Sequence, residues 1–200
     1  MFSRLLVYLA TLLLGSLFIE ISMYHPSIAM ERDPVTIVPA VTSAIALFGG
    51  FFFLAFAGRA ATFLFVLTCC MAIVVGLVGT AIHLAIHAPS FGVLATDPHA
   101  WLGNPPTLAP LSFSVGGCLG LCALVWRDAQ AVAPMASRLL QAAAAGAGLA
   151  AALLALQPRY GDIALVVVIA SLALGSLGYA SEALPPLVRR WASRPGRGTA

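Results

Sequence analysis

Six apolar runs, separated by stretches rich in Pro, Gly, Arg and Asp, divide the chain from end to end. They cover Leu5 to Met23, Thr36 to Ala57, Ala61 to His87, Leu108 to Trp126, Ser137 to Leu156 and Ile163 to Ala183. Each is close to the roughly 20 residues a helix needs to cross a hydrocarbon core of about 30 Å. None alternates apolar and polar positions with a two-residue period, so the runs predict helices rather than barrel strands. The expected fold is all-α: a polytopic membrane protein with six transmembrane helices. Residues 1–184 form the transmembrane domain, and residues 185–200 form an Arg-, Pro- and Gly-rich tail expected to lack fixed structure.

Composition makes a soluble alternative untenable. With 61% hydrophobic residues, 8% charged residues and a mean hydropathy of +1.01, 200 residues carry more apolar surface than a soluble domain can hide. The lipid bilayer is the expected surrounding.

Charge then orients the helices. The chain has no lysine, and its ten basic residues are all arginine. Arg4, Arg59, Arg127, Arg138, Arg189, Arg190, Arg194 and Arg197 fall on one side of the six runs, and Arg32 and Arg159 on the other. That asymmetry puts both termini in the cytoplasm and suits a bacterial inner membrane. Tyr24, Trp101 and Tyr160 fall at the outer interface, and Trp126, Tyr179 and Trp191 at the inner one. The net charge of +3 is a topogenic signal, and nucleic acid is not an expected partner. The first run also has signal-peptide features, a basic start at Arg4 and a small-x-small site at Ser27-Ile28-Ala29. The distance from the apolar core to that site favours a retained helix.

Small residues mark where helices should meet. Gly76 and Thr80 share a stripe of the third helix, Gly116 and Gly120 form a GxxxG in the fourth, and Gly175 lies on a small-residue stripe of the sixth. Phe51, Phe52 and Phe53 point in all directions from a helix, so part of that run is expected against lipid. Asp162 is placed to cap the sixth helix. The four cysteines, Cys69, Cys70, Cys118 and Cys122, all lie within apolar runs, where they read as packing residues rather than a disulfide framework.

Candidate chemistry collects on the outer side. All four histidines, His25, His83, His87 and His99, fall there, with Glu20, Glu31, Asp33, Asp97 and Asp162. His83 and His87 are one helical turn apart, about 6 Å along the axis, a spacing one metal ion can bridge. The candidate ligand set is this pair with His25 and Glu20 from the first helix and its following loop, and His99 or Asp97 from the long connection at 88–106. Imidazole and carboxylate suit copper, zinc or iron, and one imidazole suits haem b as an axial ligand. Electron transfer or metal handling follows from that reading. The alternatives are a non-catalytic subunit of a larger membrane complex or homo-oligomer, and a small transporter. The absence of charge from the middle of the runs weighs against ion-coupled transport. The sequence has no nucleophile elbow and no phosphate-binding glycine loop to specify a reaction.

Overall fold

The structure, a computed structural model, describes residues 2–24, 37–56, 58–87, 109–125 and 133–192. Among these residues there are six α-helices and no strand. They are α1 (Phe2–Tyr24), α2 (Ile37–Phe56), α3 (Arg59–His87), α4 (Leu111–Ala123), α5 (Met135–Ala155) and α6 (Gly161–Ala192). Five are long and apolar enough to cross a membrane.

The exception is α4. Its 13 residues span about 20 Å, less than the apolar run from Leu108 to Trp126 would allow. Pro110 is the physical reason at one end, because a proline disfavours helical geometry in the residue before it. The helix therefore starts at Leu111, with the carbonyls of Ala109 and Pro110 accepting the N–H groups of Ser112 and Phe113 at 3.1 Å. At the other extreme, α6 runs for 32 residues, about 48 Å, through Pro185 and Pro186 to Ala192. It therefore continues into the stretch read from sequence as the tail. Asp162 lies inside the first turn of α6 rather than at its cap, where its charge complements the helix dipole.

Two four-helix rings share one edge. α1 and α2 pack together; α3 and α4 close a ring on one side, with α3 on α2 and α4 on α1. On the other side α5 packs on α2, α6 packs on α1, and α5 and α6 pack on each other. This surrounds α2, of whose 20 residues 12 are buried. Phe51 and Phe53 are consequently buried and Phe52 is half-buried, so Phe52 is the part of this run that keeps exposed surface. Phe53 stacks on Phe65 of α3 with ring centroids 5.1 Å apart.

The outward surface is apolar. Phe63, Leu67, Val74, Leu77 and Val78 are exposed on α3, and Ile163, Val166, Ile169 and Leu177 on α6. Such faces suit lipid, against which leaving them exposed costs nothing. Hydrophobic burial therefore does not hold the helices together there, and close contact and interhelical hydrogen bonds must. The Ser171 hydroxyl of α6 donates to the Ala144 carbonyl of α5 at 2.7 Å, and Ser114 of α4 donates to Ile73 of α3 at 3.0 Å.

Glycine sets the closest approach of α5 to α2. A Cβ added at Gly148 would lie 2.8 Å from the backbone nitrogen of Phe48, an atom that no rotamer change can move. A Cβ at Gly146, on the exposed face, would meet nothing within 4 Å. Gly148→Ala should therefore destabilise the protein by about 1–3 kcal/mol. Gly146→Ala should be neutral or stabilise it by up to about 1 kcal/mol. Thermal unfolding of the two variants in detergent checks the contrast, and equal effects would contradict the α2–α5 geometry.

Candidate functional site

Chemistry-bearing side chains occupy both ends of the bundle. One end carries Phe2 of α1 and the C-terminal part of α6, and is called here the terminal end. The other carries Glu20 and His83 and is called the histidine end.

At the terminal end α2 stops at Phe56, leaving its last carbonyls without helical partners. Arg4 of α1 donates through Nη2 to the Leu54 carbonyl at 2.9 Å, and Arg138 of α5 donates through Nε to the Ala55 carbonyl at 2.9 Å. Two positive groups from flanking helices thus meet the negative end of the α2 dipole. Arg4 is only 2% exposed and also forms a fork with Glu182 of α6, Nε to Oε1 at 2.5 Å and Nη2 to Oε2 at 2.9 Å. A paired fork is the geometry in which a guanidinium and a carboxylate can both leave water. One turn deeper, Tyr8 and Tyr179 stack with centroids 4.4 Å apart. The Tyr8 hydroxyl donates to Ser176 at 2.9 Å, and Ser176 donates to its own helix at Leu172. These contacts join α1 to α6 over two turns of each helix.

Beside this lock, α5 buries Ser137 and Gln141. Both are 0% exposed, and Ser137 Oγ and both Gln141 amide atoms have no hydrogen-bond partner among the described residues. Leaving such a group unsatisfied costs about 1–3 kcal/mol. Gln141 lies over Gly178 of α6, whose missing side chain makes room for it.

At the histidine end, Gly76 and Gly79 of α3 lie against α4. A Cβ at Gly76 would be 2.6 Å from the Ser114 nitrogen, and one at Gly79 would be 2.9 Å from the Pro110 ring. Thr80 is half-buried and donates to the Gly76 carbonyl at 2.7 Å. His83 continues this side of α3, half-buried, with Nδ1 shielded from solvent. Glu20 is half-buried near the end of α1. His87 is the last residue of α3, and its side chain lies outside the described residues, as do His25, Asp97 and His99 entirely. Among the described residues no three His, Cys, Asp or Glu side chains come together in a way that could hold a metal ion. The remaining small residues meet different neighbours: Gly116 lies against Leu14 of α1, Gly120 against Cys69 and Phe65 of α3, and Gly175 against the Phe51 ring of α2. The GxxxG of α4 thus serves two helices rather than one. Cys118 and Cys122 face outward and Cys69 is buried.

Sequence reasoning missed the terminal-end lock. From sequence alone Arg4 is an interfacial topogenic charge, and its partner is 178 residues away. The available signal was position: Arg4 directly precedes the first apolar run and Glu182 lies within the last one, on the same side of the six runs, where an unpaired charge near the hydrocarbon would be costly.

The features described define a polytopic helical membrane protein closed at one end by a buried ion pair. Compared with protein families, with curated proteins and with solved structures, the chain matches none.

Breaking one side of a buried pair leaves the other charge uncompensated, at about 3–5 kcal/mol. Arg4→Met and Glu182→Leu should each destabilise the protein by that order. The double variant should cost clearly less than the two added together. A double-mutant cycle on unfolding in bicelles checks this, and additive losses would contradict the pairing.

Proposed function

We propose that this is a multi-pass protein of the bacterial inner membrane with both termini in the cytoplasm. The terminal end then lies at the inner surface and the histidine end at the outer one. Residues 1–184 form its membrane domain and 185–200 its basic tail. At the outer end, His83 and His87 with Glu20, His25, Asp97 and His99 supply the donors of a metal or haem site used in electron transfer or metal handling. The observation that carries this reading is the position of His83. It follows Gly76 and Gly79 on the protein-facing side of α3, with one ring nitrogen shielded from solvent, at the same end as the Glu20 carboxylate. Copper, zinc and iron accept this donor set, and haem b accepts a single imidazole.

A second reading, a non-catalytic subunit of a membrane complex or homo-oligomer, is favoured by the exposed face of α5. Ala143, Gly146 and Ala150 lie on that face with open space over Gly146, a surface that a further helix can approach closely.

Metal analysis and an absorption spectrum of detergent-purified protein test the first reading. The expected result is stoichiometric metal or haem in the wild type that is lost in His83→Ala/His87→Ala. A colourless, metal-free wild type that co-purifies with a partner membrane protein supports the second reading instead.

A further inference from the structure

We propose that Ser137 and Gln141 form a buried binding site for a small uncharged ligand that both donates and accepts hydrogen bonds, with water as its occupant. The site lies between α5 and α6 at the terminal end, and is independent of the histidine end.

Most of the buried hydroxyls described bond a carbonyl, Ser171 and Ser114 across a helix seam and others within their own helix, while Ser43 and Thr62, like Ser137, have no partner among the described residues. Thr11 donates to Val7, Thr42 to Val38 and Thr68 to Phe65, at 2.7 to 2.8 Å. Ser137 is in a different position. It lies in the first turn of its helix, where the Pro134 carbonyl one turn behind it accepts the Arg138 N–H at 3.0 Å and does not take the Ser137 hydroxyl. Among the described residues the hydroxyl has no partner, and a bound molecule is the one the proposal supplies. One turn further on, Gln141 presents two donors and an acceptor from the same face, also fully buried. Neither side chain is bonded to the other, since each lacks a partner among the described residues.

Gly178 shapes the opposite wall. A Cβ there would stand 2.9 Å from Gln141 Cγ and 3.2 Å from the Ser137 carbonyl oxygen, so α6 closes tightly on the Ser137–Gln141 ridge at this point and a larger residue would push it away. The neighbouring charges are already engaged: Glu182, one turn beyond Gly178, pairs with Arg4, and Arg138 donates to the Ala55 carbonyl. A ligand that only donates would leave the Gln141 Nε2 unmatched, and one that only accepts would leave Oε1 unmatched. Water meets both needs and reaches Ser137 with its remaining capacity. Buried water of this kind lets two helices close on each other in lipid without leaving an amide dry.

The test combines a crystal structure of the full chain grown from a lipid mesophase with melting of Ser137→Ala, Gln141→Leu and the double variant. The expected density is a single small molecule within about 3.2 Å of Ser137 Oγ and the Gln141 amide. Each single variant should lower Tm by about 2–4 °C. The double variant should fall no further than the worse single one, because both side chains serve the same bound molecule. Gln141 found bonded to a protein carbonyl without such density would overturn the proposal. So would a rise in Tm for Gln141→Leu, the result of removing a dry amide.

Discussion

The last carbonyls of α2 are the pressure point of this structure. A helix end in an apolar medium has no water to complete its hydrogen bonds, and α2 is enclosed by four other helices. Arg4 reaches in from α1 and Arg138 from α5, and they bond the Leu54 and Ala55 carbonyls. Burying Arg4 for this purpose requires an acid, and Glu182 supplies it from the far end of the chain. The cap of one helix thereby fixes the first helix against the last. Tyr8, Tyr179 and Ser176 extend the junction by a further turn.

The two rings that share α1 and α2 differ in how they are held. The ring containing α5 and α6 joins through polar contacts at its terminal end, and through Ser171, Gly148 and Gly175 along its length. The ring containing α3 and α4 relies on glycines: Gly76 and Gly117 bring α3 and α4 backbones together, and Gly116 admits Leu14 of α1. The second ring carries the histidine, the first carries the buried charges.

Much of this was readable in the residues, and the rest was hidden for identifiable reasons. The apolar runs locate five long helices to within a few residues at most ends, because lipid-crossing segments leave an uninterrupted signal. They mislead at α4, where apolar residues continue on either side of a helix that Pro110 delimits. They leave open which of Phe51, Phe52 and Phe53 is enclosed, since hydrophobicity alone does not distinguish a lipid-facing ring from one surrounded by helices. Arg4 looks like any positive-inside arginine until Glu182 is set beside it, and a pairing across 178 residues leaves no local pattern. Of the histidine-end donors, His83 and Glu20 are described with their side chains, and His25, His87, Asp97 and His99 rest on the sequence reading.

Magnetic-resonance distance measurement in lipid bilayers reaches the ion pair directly. With ¹³C at the carboxyl carbons of the three glutamates and ¹⁵N in the arginine guanidinium groups, rotational-echo double resonance reads their separation. The cap of α2 by a paired Arg4 requires one carboxyl within about 4 Å of a guanidinium nitrogen, and loss of that contact in Glu182→Gln/Arg4→Met. A wild-type spectrum without such a contact, or one that persists unchanged in the double variant, would contradict it.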